Sequence, residues 1–438
     1  MTVKYLFKKN MFLDFINDYK KVFHSFLVKI FGVIVNLIFF YTAAKLLTLE
    51  DFGNFQFLMS ASIFLITFLT FGLDHKLFSI ASSNLNNNPQ KVSEDFVTSI
   101  IFVNSILLLL LFIVLIYINL NLITLFDINL KTINTYLMAL PFIVTSSILF
   151  NFLNGCKKNK TYIFFSGPFQ NLIFLFLVFT SFFGFTLQQF IICYLISVSV
   201  NFLILVYISR GFLGSTKVKL KRFFYLISKS FNLYIYYILT TIVVSFDIYF
   251  IKFFASEHEL GLYAFASRFA LLISVFFTTS SMFVMPRLVK MYKDGDYEEL
   301  KRTYYFSSLL IILILLIPFC ILIIYAQEII TFFFPSFFDS ILSIKILLTA
   351  QFIGLIFGPN ALLLFYTQNN HKLFLCTILS FISYIFLAYY FFNYLGINGV
   401  ALSFLIYVII WKLSTSIYFM KVFGFYPISF FNKNKVSV

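Results

Sequence analysis

The sequence predicts an all-α integral membrane protein of about 12 transmembrane helices, in two six-helix bundles related by a pseudo-two-fold along the membrane normal. Composition, the lengths of the apolar runs and a half-chain repeat predict it. Of 438 residues, 61% are hydrophobic and 11% charged, and mean hydropathy is +0.96. A soluble chain carries about 25% charge, because its surface must be solvated. Here 67 Phe and 27 Tyr stand beside 32 basic and 17 acidic residues. Such a chain cannot cover itself with water. Its solvent is lipid.

The elements follow in order. Residues 1–24 form a cytoplasmic amphipathic segment, with Phe7, Met11, Phe15 and Tyr19 four apart and lysines around them, the pattern of a helix lying on the inner leaflet. No apolar core or cleavage site marks these residues as a signal peptide. A span needs about 20 apolar residues. Such runs fall at 25–47, 52–80, 96–118, 133–155, 161–183 and 187–209, then at 228–255, 261–287, 303–325, 340–367, 373–392 and 397–420. The first six make an N-lobe, 25–209, and the last six a C-lobe, 228–420. A basic cytoplasmic linker, 210–227, joins them, and 421–438 is a cytoplasmic tail.

Lys and Arg set the orientation. With both termini on one side, that side holds 24 of them and the opposite side only Lys45, Lys131 and Lys252. Both termini are therefore expected in the cytoplasm. The net charge of +15 is then an orientation signal, and no nucleic-acid partner is needed to explain it. Four scattered cysteines and four isolated histidines fit no disulfide framework and no metal site. No cofactor is called for.

The repeat appears at the first hairpin of each half. Thr48-Leu49-Glu50-Asp51-Phe52-Gly53-Asn54-Phe55 is matched 208 residues later by Ser256-Glu257-His258-Glu259-Leu260-Gly261-Leu262-Tyr263. In both, a hydroxyl N-cap is followed three residues on by a carboxylate, as in a capping box. The glycine then lets a neighbouring helix approach. Six spans per repeat make the two halves parallel, with a site expected between them.

The stretch Ala43-Ala44-Lys45-Leu46-Leu47 running into this first motif, the later Phe71-Gly72-Leu73, and Asp247 followed by Gly261 to Arg268 resemble Wzx-type polysaccharide repeat-unit flippases. These belong to the MATE-like (multidrug/oligosaccharidyl-lipid/polysaccharide) exporter superfamily. The resemblance covers essentially the whole chain. It implies two bundles around a cavity and transfer of an undecaprenyl-diphosphate-linked oligosaccharide across the bacterial inner membrane, for O-antigen, capsule or related polysaccharide synthesis. The partners it implies are that lipid-linked substrate, membrane lipid, a coupling ion (proton or sodium) and polysaccharide assembly proteins.

A charge inside the bilayer costs at least about 2.5–3.5 kcal/mol, so each one needs an explanation. Arg268 and Asp247 lie at similar depth on adjacent spans. They form either a structural ion pair or a cavity-facing cation for diphosphate or sugar, with Asp247 orienting it or binding a coupling ion. Lys412 either snorkels or faces the cavity. Lys345 and Lys29 lie about five residues inside their helix ends, where snorkelling is the simpler account, though both complete the set of cationic cavity candidates. Lys252 is expected at the outer interface. Asp74, in Asp74-His75-Lys76, is a solvated helix end or a gate. Pro141, Pro318 and Pro359 interrupt spans and mark possible bends.

Two other functions compete with the flippase. An ion-coupled multidrug exporter of the same architecture would carry several buried carboxylates, and only Asp247 is convincing. A membrane polymerase or glycosyltransferase needs a large outer loop or paired acid–base residues. Neither is present in the sequence.

Overall fold

In the computed structural model of the protein, the structure describes residues 9–85, 87–119, 128–156, 159–180, 185–212, 218, 220–367 and 369–428. These residues are helical throughout, with no strand. In chain order the helices are α1 (Lys9–Leu46), α2 (Leu49–Thr70), α3 (Leu73–Asn84), α4 (Pro89–Asn119), α5 (Leu130–Gly155), α6 (Asn159–Phe165), α7 (Pro168–Thr180) and α8 (Leu187–Ser209). After a 3-10 turn come α9 (Leu220–Phe254), α10 (Glu257–Asp294), α11 (Tyr297–Ile324) and α12 (Ala326–Phe333). A second 3-10 turn leads to α13 (Ile341–Ile356), α14 (Asn360–Tyr366), α15 (Asn370–Leu395) and α16 (Ile397–Phe423).

Eleven stretches of the described residues are long and apolar enough to cross a membrane. The twelfth predicted span, 261–287, is not among them. It lies within α10, an unbroken helix of 38 residues and thus about 57 Å long.

Both repeat motifs open a helix as expected. Thr48 caps α2, its side chain accepting from the Asp51 N–H at 3.2 Å. Ser256 and Glu259 close a full capping box at the start of α10.

Several predicted elements are interrupted or extended. Span 52–80 is two helices, because Phe71 (φ 52°) and Gly72 (φ 71°) are left-handed and no α-helix continues through that conformation. Span 161–183 breaks at Ser166-Gly167, before Pro168. Span 340–367 breaks at Phe357–Pro359, where Gly358 has φ 59°. Pro141 and Pro318, by contrast, sit inside unbroken helices. Helix α1 runs unbroken through the predicted boundary at residue 24, and the division between compact units falls beside it, between Phe23 and His24. Residues 1–8 of that amphipathic segment lie outside the described residues, as do residues 429–438 of the tail. The start of the tail packs into the core instead of leaving it: Phe425 is buried with Tyr304, Tyr305, Phe419 and Phe423, and Tyr305 Oη donates to the Tyr426 carbonyl at 2.6 Å.

The chain divides into two compact units, His24–Tyr249 and Phe250–Val438 together with Met1–Phe23. This division does not follow the basic linker. It gives most of α9, predicted as the first C-lobe helix, to the N-terminal unit. The reason is a stripe on one face of α9, spaced 4, 3 and 4 residues apart. Ser230 Oγ donates to the Phe71 carbonyl (3.0 Å) and Tyr234 Oη to the Phe68 carbonyl (3.4 Å). Tyr237 stacks on His75 (centroids 3.8 Å), and Thr241 shares a 3.1 Å hydroxyl contact with Thr67. Below the stripe, Arg222 donates to Asp95 through Nε (2.5 Å) and Nη2 (2.8 Å).

Within the C-terminal unit, α16 packs against α13 and α15, and α10 against α11 and α13. Its aromatic core, around Tyr304 and Phe419, draws on α10, α11, α14 and α16.

Candidate functional site

In the N-terminal unit the break after Phe71 produces the first polar site. It starts α3 with Asp74 in the first turn, where the helix dipole favours a carboxylate. Asp74 is 6% exposed, which corrects the expectation of a solvated helix end. Thr70 Oγ1 donates to its Oδ1 at 3.4 Å, and His75 Nε2 lies 3.7 Å from its Oδ2. The same His75 ring stacks on Tyr237 of α9. Asp74 is therefore held where α2, α3 and α9 meet. Asp247, near the other end of α9, is 5% exposed and accepts from the Ile248 N–H at 2.9 Å. Lys29 is half-buried on α1.

In the C-terminal unit, Arg268 is half-buried on α10, flanked by the fully buried Phe265 and the nearly buried Phe269. The pairing considered for Arg268 and Asp247 joins residues that belong to different units. Lys345 is half-buried on α13. Lys412 is 7% exposed and does not snorkel. Its Nζ donates to the Gly358 carbonyl (3.4 Å) and to Asn360 Oδ1 (3.3 Å), and lies 5.3 Å from the Trp411 ring centroid. Asn360, fully buried, donates in turn to Thr415 Oγ1 and Ser416 Oγ, each at 3.2 Å. Lys345 is not brought to this cluster. Lys412 Cε lies 3.8 Å from the Cβ position of Gly354, nine residues beyond Lys345 and so about 13 Å along α13.

Lys252 also departs from expectation. Its side chain is 5% exposed and its Nζ meets Glu257 Oε1 at 2.8 Å, so the hairpin of α9 and α10 buries it instead of leaving it at an interface.

Near the start of the α4 span, the Asp95–Arg222 pair was not foreseen. Asp95 is 2% exposed, and its hydrogen bonds raise the pKa of the Arg222 guanidinium above its ordinary value. Asn360, Thr415 and Ser416 were missed as well. Their signal was present: Lys412, Thr415 and Ser416 stand at i, i+3 and i+4, a polar stripe on one face of an apolar helix.

A groove of about 840 Å³ between α4, α5 and α8, lined by Leu108, Phe112, Leu137, Met138 and Leu203 among others, contains none of the predicted site residues. Its lining is almost wholly apolar. No group of His, Cys, Asp and Glu able to hold a metal occurs among the described residues.

The family model for polysaccharide biosynthesis proteins matches residues 19–292. No curated protein matches the sequence significantly. Among solved structures, an inward-facing multidrug-resistance MATE family transporter of the MOP superfamily is similar at 13% identity. The match covers 91% of this chain and 94% of that one, with TM-score 0.70. An outward-facing structure of such a transporter is similar at 14% identity over 93% and 96% of the two chains, TM-score 0.69. A MOP-superfamily transporter from Pyrococcus furiosus, whose binding pocket is described as reversed in polarity, is similar at 13% identity over 93% and 96%, TM-score 0.65.

Proposed function

From a chain that belongs to the polysaccharide biosynthesis protein family and has the fold of MATE family transporters, we infer a flippase. It is a multi-pass membrane transporter rather than an enzyme, and its proposed cargo is an undecaprenyl-diphosphate-linked oligosaccharide. It carries this cargo from the inner to the outer leaflet of the bacterial inner membrane by alternating access, in O-antigen, capsule or related polysaccharide assembly. The observation that carries the reading is the charge balance of the spans. Arg268, Lys345 and Lys29 are half-buried cations in apolar helices and Lys412 is a buried one; of the three buried carboxylates there, Asp74, Asp95 and Asp247, Asp95 is already paired with Arg222. That balance suits an anionic diphosphate and suits a cationic drug poorly. A proton or sodium ion remains the proposed coupling ion, with Asp247 as its candidate carboxylate and Asp74 as the candidate gate.

Arg268 is assigned to the diphosphate because a guanidinium fork matches phosphate oxygens in pairs. In cells and in reconstituted vesicles, Arg268→Ala is expected to accumulate normally while transfer of the lipid-linked glycan falls about tenfold or more. Loss of one charge-assisted hydrogen bond, worth ~1.5–3 kcal/mol, has that effect. Arg268→Lys should fall less. Normal transfer by abundant Arg268→Ala would remove the assignment. If both single variants are scarce and Arg268→Asp with Asp247→Arg restores abundance, the pair is structural.

The proposed orientation is tested separately. Reporter fusions after residues 215 and 438 should read as cytoplasmic, and fusions near 125, 185 and 335 as external. An external signal at 215 would overturn the twelve-span topology.

A further inference from the structure

The polar cluster around Lys412 has the makings of a cation site, and it is built before any ligand arrives. Two helices of one predicted span, α13 and α14, are separated by Phe357, Gly358 and Pro359. Carbonyl groups released by such a break have no partner in their own helix, and broken helices at membrane depth use them to coordinate monovalent cations. Here the Gly358 carbonyl and Asn360 Oδ1 face a common point. Asn360 is locked in that pose, because its amide donates to both Thr415 and Ser416. The hydroxyls of those two residues bond back to α16 carbonyls. Ser308 Oγ is buried beside Gly358.

The common point is occupied by Lys412 Nζ. Both of its hydrogen bonds go to neutral oxygens, and among the described residues no carboxylate lies within ion-pair distance of it. An ammonium that donates to two neutral oxygens beside an indole face lies in surroundings that also attract a monovalent cation. Substrate contact would require at least part of that ammonium to be turned outward, and it is 7% exposed.

We propose that the break between α13 and α14 is a monovalent-cation site which the chain fills with the side chain of Lys412. The C-terminal unit therefore takes no dissolved sodium or potassium at this position. Removing the lysine side chain opens the site to one.

The protein carries its own reporter. Trp411 is the only tryptophan in the chain, it neighbours the ammonium, and its Nε1 donates to Thr377 Oγ1 at 3.0 Å. Full-length protein in lipid nanodiscs is titrated with sodium chloride, and in parallel with choline chloride, while Trp411 emission and the unfolding temperature are followed. Wild-type protein should respond alike to both salts. Lys412→Ala should unfold several degrees lower in choline and recover saturably in millimolar sodium or potassium, with a matching change in emission. Lys412→Met keeps an apolar stem in the space and should be destabilised without recovery.

A sodium-specific response in the wild type would overturn the proposal. So would Lys412→Ala that no alkali cation restores, or Lys412→Met as stable as the wild type. If Lys412→Ala does not accumulate, the wild-type and Met arms still decide. None of these readouts involves glycan transfer, so their outcome is independent of the flippase reading.

Discussion

Arg222→Ala is expected to destabilise the N-terminal unit by about 3 kcal/mol, the lower end of the cost of breaking a buried ion pair from one side. The carboxylate of Asp95 is 2% exposed and the Arg222 side chain 29%. Removing the guanidinium therefore strands a buried charge, and partial access of water keeps the loss from being larger. Asp95→Asn should cost less, because the charge left behind is the one nearer to solvent. Arg222→Lys should fall between, since an ammonium cannot reproduce the two parallel bonds of the guanidinium. Replacing both residues with leucine should recover most of the stability. Thermal unfolding of the purified variants orders the four. Arg222→Ala as stable as the wild type would show that the pair holds nothing.

Gly358→Ala is expected to cost about 2–4 kcal/mol from backbone strain and overpacking together. Gly358 has φ 59°, and a Cβ there would lie 2.5 Å from Ser308 Oγ and 2.9 Å from Tyr304 Oη. Tyr304 is fully buried and donates to the Phe357 carbonyl at 2.8 Å, so it cannot retreat without breaking that bond. Gly295 supplies the control. Its φ is 78°, and no atom lies within 4 Å of the added Cβ. Gly295→Ala should show only the backbone part, about 1–2 kcal/mol. Equal losses at the two positions in thermal unfolding would mean that the contacts at Gly358 contribute nothing.

Much of the fold is legible in the residues because lipid imposes a simple rule on spans, and capping chemistry is local. Thr48 and Ser256 announce helix starts with three-residue spacings, and both helices begin there. Pro359, beside Gly358, marks a break that the structure contains. Phe71 was not legible: a phenylalanine in the left-handed region follows from what packs around it, not from its own preference.

The allegiance of α9 was hidden for a different reason. In a helix apolar on every face, hydrophobic periodicity does not say which side meets protein and which meets lipid. Only the sparse polar stripe from Ser230 to Thr241 carries that information. Asp74 illustrates the same limit at a site. Its place at the end of an apolar run reads as solvated, yet the break at Phe71 and the arrival of α9 bury it. For Lys412, position within the apolar run tells depth but not direction, and direction separates a substrate contact from a ligand of the helix break.

The membership of α9 in the N-terminal unit bears on how the protein is made. Translation delivers residues in order, and domains generally close as soon as their parts have left the ribosome. When α8 has emerged, the N-terminal unit still lacks the helix that receives Ser230, Tyr234 and Tyr237 against α2 and α3. The Phe71 carbonyl, Asp74 and Asp95 then wait without their final neighbours while the basic segment and residues 228–249 are synthesised. The nascent protein thus matures in two unequal instalments, the first closing well past the midpoint of the gene.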